Sequence, residues 1–253
     1  MGNSSILERV QKDTEGKIAG LDEIITLIYG DKKVGKSTFA SRFPKPLFLD
    51  CEDGLRTVQD TTGHRPDHIS VQGWQDVLDL TAQLEGDLNG YETIVVDGLN
   101  ELWSYLVKFT LEKYKVEHTN DGTLAYGKGN AIMGRAFRSW FQRLRRLPAG
   151  IVLTAHDKVL PFEHNGVAYD KRVPYVDDSK MAQAWDTIKP AINMILYAHK
   201  VDTKDGVVHA MRTKGTQLIE AADPYGNLPE LMPFNYASLQ EAMETNNEVT
   251  TND

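Results

Sequence analysis

The sequence is poor in cysteine, in long apolar runs and in positive charge. One of its 253 residues is a cysteine, Cys51. That excludes an intramolecular disulfide and fits a reducing, cytoplasmic setting. The seven histidines are scattered and have no cysteine partners at zinc spacing. No apolar stretch reaches the about 18 residues a membrane span needs, so no membrane partner is expected. The opening "MGNSSILERVQKD" lacks the apolar core of a secretory leader. A net charge of −8 excludes a broadly basic nucleic-acid binder and leaves room only for a local basic groove. No internal repeat is visible.

Short β-branched runs alternate with amphipathic stretches. "EIITLIYG" (Glu23–Gly30), "PLFLD", "HISV" (His68–Val71), "ETIVVD" (Glu92–Asp97) and "GIVLTAH" (Gly150–His156) read as buried strands. "KSTFASRF", "WQDVLDLTAQLEGDL", Leu99–Tyr114 and about Ile132–Leu147 read as helices. Near the end, "AINMILYAHK" and "GVVHAMRTK" flank "DTKDG", a hairpin signal. The fold class expected is α/β: a mainly parallel central sheet flanked by helices, with a C-terminal antiparallel hairpin extending one edge. Residues 1–20 read as an N-terminal arm, 21–244 as one domain and 245–253 as a disordered acidic tail. The stretches 116–130 and 157–178 read as loops without elements of their own, the second long enough to suggest function.

"GDKKVGKST" satisfies G-x-x-x-x-G-K-[ST] at every fixed position, with an apolar strand before it and a helix after it. Gly30 and Gly35 let backbone N–H groups wrap a phosphate without Cβ clashes. The cradle runs through Gly30, Asp31, Lys32, Lys33, Val34, Gly35, Lys36, Ser37 and Thr38. Lys36 is placed to reach the β- and γ-phosphates of ATP, and Ser37 to offer a hydroxyl to Mg²⁺. "TIVVD" supplies the acid such a site needs: Asp97, at the end of a buried strand, completes the Mg²⁺ shell with Ser37. Many P-loop ATPases carry a catalytic Glu at the next position; here it is Gly98. The base must come from elsewhere. "LFLDCED" offers Asp50, Glu52 and Asp53 at the end of a strand that directly follows the P-loop helix and is expected near the P-loop strand. In an α/β sheet the strand C-termini face the ligand.

Together these motifs resemble the RecA superfamily of P-loop ATPases, and in particular the compact ATP-binding proteins of bacteriophage genomes grouped with recombinases and annealing proteins. The resemblance covers about Ile24 to Gly215. "FLDCEDG" resembles the family's Asp-x-Glu element and implies that Glu52 is the catalytic base. Asp50 then closes the strand, Asp53 belongs to the turn, and Cys51 is a packing residue. "IVLTAH" resembles the strand that senses the γ-phosphate, which implies that role for His156, where RecA-like recombinases more often have Gln. The loop after it resembles the family's DNA-binding loop in position. "GVVHAMRTKG" resembles an edge strand whose cations reach a neighbour's ATP. That implies a trans-acting Arg212 or Lys214, expected on one strand face at i and i+2.

The resemblance thus implies a cytoplasmic ATPase, in a host bacterium if viral, that acts on single-stranded DNA in recombination or replication. It also implies a homo-oligomer, ring or filament. A P-loop kinase of a small molecule and a nucleotide-gated binding module remain as alternatives. Three further features stand outside the motifs. "RAFRSWFQRLRRL" puts Arg135, Arg138, Arg143, Arg145 and Arg146 on a helix whose apolar face is Phe137, Trp140, Phe141, Leu144 and Leu147. It reads as a core helix with a solvated basic face or as a phosphate-backbone or inter-protomer surface. "AYGKGNA" offers Tyr126 and Lys128, and residues 157–178 mix Phe162, Tyr169 and Tyr175 with Lys158, Lys171 and Arg172, a mixture suited to single strands.

Overall fold

The computed structural model describes residues 20–177 and 184–250. The expected N-terminal arm therefore lies, but for Gly20, outside the described residues. Nine strands form one sheet: β1 (Ile25–Gly30), β2 (Pro46–Asp50), β3 (His68–Ser70), β4 (Thr93–Asp97), β5 (Gly150–His164), β6 (Val167–Tyr175), β7 (Met194–Thr203), β8 (Gly206–Arg212) and β9 (Leu231–Pro233). The order is β3-β2-β4-β5-β1-β7-β8-β9, with β6 paired to β5. From β3 across to β7 every pairing is parallel; β7–β8, β8–β9 and β5–β6 are antiparallel. This is the α/β architecture expected, down to the C-terminal hairpin.

Alternation along the strands divides the core into two layers. Leu27, Tyr29, Leu49, Val96 and Leu153 join a cluster on one side, with α2 (Trp74–Gly86), α3 (Leu99–Tyr114) and α4 (Lys128–Leu144). Ile28, Phe48, Val95 and Val152 join the other, with α1 (Lys36–Ala40) and α6 (Tyr236–Thr250). The short α5 (Ala184–Ile188) packs beside α4. Trp140, fully buried, donates its indole N–H to Thr81 at 3.1 Å, so the one polar atom of a large core ring is satisfied.

Five expectations need correction. Residues 157–178 are not an element-free loop: β5 continues to His164 and turns back as β6, a ribbon in register from His156↔Tyr175 to His164↔Val167. The turn is Asn165–Gly166, both at positive φ, a two-residue hairpin turn that the sequence displays openly. Second, β2 is not beside the P-loop strand; β4 and β5 stand between it and β1. Third, helix α4 begins at Lys128, four residues before its expected start. Fourth, the backbone of residues 245–250 continues α6 where a disordered tail is expected. Fifth, the hairpin β7–β8 forms as expected, but β9 covers its outer side, so β8 is not the sheet edge.

Candidate active site

The P-loop, Asp97, Glu52 and His156 converge at the carboxyl ends of the parallel strands. At Gly30 the chain turns with φ 138°, and a Cβ there would run into the carbonyl of Ala198 on β7. Glycine is thus required both for the turn and for the close approach. Gly35, at φ 103°, caps α1 with open space around it, so only its backbone conformation demands glycine. Between them Val34 is buried and anchors the loop to the core. Lys32, Lys33 and Thr38 are exposed at the rim.

Asp31 does something the motif does not reveal. Its N–H donates to Ala198 O at 3.1 Å, and its Oδ2 accepts the N–H of Lys200 at 3.1 Å. The first residue of the loop thus straps the phosphate cradle to β7. Lys36 folds over the loop and donates to the carbonyls of Gly30 and Asp31, both at 2.9 Å. Burial holds its ammonium below the ordinary lysine range, against the opposing pull of Glu52 and Asp97.

The two residues expected to hold Mg²⁺ are side by side. Asp97 ends β4, only 4% exposed, and accepts hydrogen bonds from Ser37 and from Thr154 of β5. Burial raises its carboxyl; the two hydroxyls pull in the other direction. Among the described residues no cluster of three or more His, Cys, Asp or Glu forms a protein-only metal cage. Ser37 and Asp97 instead offer two neighbouring oxygens of the kind that a hard cation takes alongside phosphate and water.

Glu52 reaches the same place from β2, because its neighbour β4 carries Asp97 and the ends of the two strands are tied together. Cys51 N–H donates to Asp97 O at 2.6 Å, and the Tyr105 hydroxyl lies 3.0 Å from the carbonyls of both Cys51 and Val71. Asp50, 3% exposed, closes the strand and accepts the Gly54 N–H at 3.1 Å. Asp53 takes the turn at φ 52° and pairs outward with Arg56 at 2.5 Å. Cys51 is buried, and burial raises its thiol, so it is a packing residue and not a nucleophile.

The carboxylate of Glu52 lies over Gly98. A Cβ on Gly98 would collide with Glu52 Oε1 and would stand 3.3 Å from Asn100 Oδ1, itself buried with no hydrogen-bond partner. The bare position after Asp97 is thus the space that the Glu52 side chain occupies. Burial, then Asp97, raises the Glu52 carboxyl above its ordinary value, while Lys36 opposes. His156 Nε2 stands 3.5 Å from Glu52 Oε1. Burial and the Lys36 charge push the imidazole down, so it faces Glu52 as a neutral ring, and its Nδ1 is buried without a partner.

The cations expected to act in trans are not brought to this cluster. Arg212 is the last residue of β8 and pairs with Glu230 at 2.5 Å. Thr213 after it is buried and Lys214 lies beyond the strand, its Nζ 3.3 Å from Gly226 O, so the two do not share a strand face. The ribbon, by contrast, is anchored at the site. Its first residue is His156; next to it Asp157 pairs with Arg172, whose guanidinium lies 5.8 Å from the Tyr197 ring centre. Farther out, Phe162 and Tyr169 stack at 6.0 Å and Lys171 lies 5.9 Å over Phe162. Motif reasoning missed Thr154, Asn100 and the Asp31 strap. Only Thr154, in "IVLTAH", carried a signal: a polar residue on a buried strand.

A family described as an AAA domain matches residues 22–225, well over half of the chain. A curated relative, the SPbeta prophage-derived uncharacterized protein YorG of Bacillus subtilis (strain 168), is 30% identical over 112 residues. The alignment covers 43% of this chain and 33% of YorG, so the chain spans about a third of that relative's length. Among solved structures, a KaiC-like protein from Pyrococcus horikoshii OT3 aligns over 79% of this chain and 81% of its own, at 10% identity and a TM-score of 0.45.

Proposed function

The chain belongs to the AAA domain family; on that premise we propose that it is a RecA-like P-loop ATPase that binds ATP with Mg²⁺ and hydrolyses it with Glu52 as general base. The observation that carries the reading is the placement of the Glu52 carboxylate over Gly98, between Asp97 and His156. A carboxylate there is positioned to take a proton from water lined up on a γ-phosphate held by the P-loop. Its raised proton affinity brings it closer to the working pH of a base.

The cradle fits the nucleotide on features of its own. Lys36 is satisfied by two loop carbonyls that phosphate oxygens can replace, and Ser37 and Asp97 already touch. Bound Mg²⁺ would supply charge neutralisation at the phosphates. Neutral His156 can donate one hydrogen bond toward Glu52 or toward a γ-phosphate oxygen, and so can register which is present.

The substrate that hydrolysis serves is proposed to be single-stranded DNA, in phage-type recombination or replication within a host cytoplasm, by a homo-oligomer in ring or filament form. Support comes from the aromatic and basic ribbon that begins at His156. The test is ATP turnover with and without single-stranded DNA, for wild type and Glu52→Gln. DNA-stimulated turnover abolished by Glu52→Gln is expected. Turnover that survives the substitution would sink the assignment of the base. In the oligomer, Arg212 would exchange Glu230 for a neighbour's nucleotide. Mixing Arg212→Ala with wild type should then depress activity below the sum of the parts, and strict additivity would dispose of the trans role.

A further inference from the structure

The chain contains 36 acidic residues, yet none lies between Asp121 and Asp157. That interval carries Lys128, Arg135, Arg138, Arg143, Arg145 and Arg146, all on or just past α4. The opposite face of the helix is locked into the core by Met133, Phe137, Trp140, Phe141 and Leu144. At 3.6 residues per turn, Lys128 and Arg135 fall within about 20° of each other around the axis, with Arg138 along one flank, and Arg145 and Arg146 follow just past the helix end. The helical part of the row is about 24 Å long at 1.5 Å per residue.

Most of this charge is unspent. Arg143 is taken by Glu85 in a two-pronged pair at 2.8 and 2.7 Å. Arg138 touches the Thr187 hydroxyl at 3.4 Å. Lys128, Arg135, Arg145 and Arg146 are exposed and have no ion pair or side-chain hydrogen bond among the described residues. The ATP site does not use them.

We propose that this outward face of α4 binds the phosphate backbone of a nucleic-acid strand. The inference rests on the nucleic-acid reading above and adds a second contact surface to it, separate from the β5–β6 ribbon. A protein partner fits less well. Protein interfaces are anchored by buried aromatic or aliphatic side chains, and the exposed positions between these cations are Ala131, Ser139 and Gln142. No large apolar residue of α4 is exposed. An exposed ring stands at the end of the row: Tyr126, 96% exposed, in a left-handed conformation two residues before Lys128. A ring at the end of a cation row suits a strand that presents phosphates along its length and a base to stack. Rigid seating lowers the ordering cost of binding.

The experiment is fluorescence anisotropy of a labelled oligo(dT) with full-length protein over a salt series. It compares wild type with Arg135→Gln/Arg138→Gln/Arg146→Gln and with the same three positions changed to Lys. Each phosphate contact to a single strand contributes about 0.7 to the slope of log affinity against log salt. The Gln variant should therefore lose about 2 in slope and at least about tenfold in affinity at low salt, and the Lys variant should recover most of both. The thermal midpoint and the affinity for a fluorescent ATP analogue are measured alongside, to separate binding from folding. Wild-type binding with slope and affinity unchanged in the Gln variant overturns this proposal alone. Absence of wild-type binding overturns it together with the nucleic-acid reading. Loss of poly-glutamate binding with oligo(dT) binding intact assigns the face to an acidic protein and overturns it as well.

Discussion

Strand β5 has two halves that share one backbone and little else. Gly150 to Ala155 is buried between β1 and β4 in a parallel sheet; from Asp157 to His164 the strand is largely solvated and pairs only with β6. The inner half gives Thr154 to Asp97, and the outer half carries Val159 and Phe162 out into solvent. His156 is the residue between. Inside, packing on both faces and two neighbouring strands hold side chains where chemistry needs fixed distances. Outside, a two-stranded ribbon depends on its cross-strand pairs, Phe162 with Tyr169 above all, and is marginal by itself. A partner bound to the ribbon would therefore act on a compliant element rooted at His156, which faces Glu52.

If that division is real, changes to the inner region should stop turnover. Lys36→Ala removes the ammonium folded over the phosphate loop and should lower turnover at least about 10³-fold, with weakened nucleotide binding, as measured by steady-state hydrolysis and titration of a fluorescent analogue. Gly98→Ala is the sharper variant. Its methyl group occupies the space of Glu52 Oε1, so the carboxylate must leave. Turnover should fall about 10²–10⁴-fold, the usual contribution of a general base, with nucleotide affinity nearly retained. Glu52→Gln should match it. A Gly98→Ala enzyme at wild-type speed would mean that Glu52 is not held where hydrolysis needs it.

The two halves also differ in how well the sequence foretells them. The P-loop, Asp97 and the bounds of α3 were legible because each depends on neighbours a few residues away: strand, glycine turn, helix. The bare position at Gly98 pointed toward Glu52, and the Glu52 side chain fills that space; its role as base is the proposal made above. The rank of β2 in the sheet was not, since strand order is settled by packing between distant segments. Thr154–Asp97 spans 57 residues and the Asp31 strap 169, distances at which a single sequence carries no periodic signal. The ribbon is different: Asn165–Gly166 announced its turn, but the acids and Pro161 around it diluted the alternation by which exposed strands are recognised.

Changes at the outer half should act on the partner and less on chemistry. Replacing Phe162 and Tyr169 together with Ser removes both stacking rings and the pair that stiffens the ribbon. Stacking contributes about 1–3 kcal/mol per base, so affinity for oligo(dT) should drop about tenfold or more, and stimulation of hydrolysis by DNA should fall with it. Oligo(dT) affinity and stimulation both left intact would detach the ribbon from the partner and leave the α4 face as the remaining candidate.

The smallest expected effect separates the halves by their acids. Glu52 is partly exposed beside Asp97, yet desolvation holds its carboxyl above the ordinary value of 4.5. Between 4.5 and that raised value the folded protein holds more protons than the unfolded chain. Stability therefore falls as pH rises through this window, and the whole cost is present above it. Below the ordinary value both states are protonated and the cost is gone. Glu52→Gln carries no charge at any pH, so it should melt above wild type near neutrality and lose that advantage in acid. Glu163→Gln, on the exposed ribbon, should shift stability by no more than about 0.5 kcal/mol. The measurement is the thermal midpoint by calorimetry on either side of the window. A Glu52→Gln protein that melts below wild type at neutral pH would show that the carboxylate stabilises the fold it sits in. The site at the inner end would then lack the desolvated, destabilising acid on which the contrast depends.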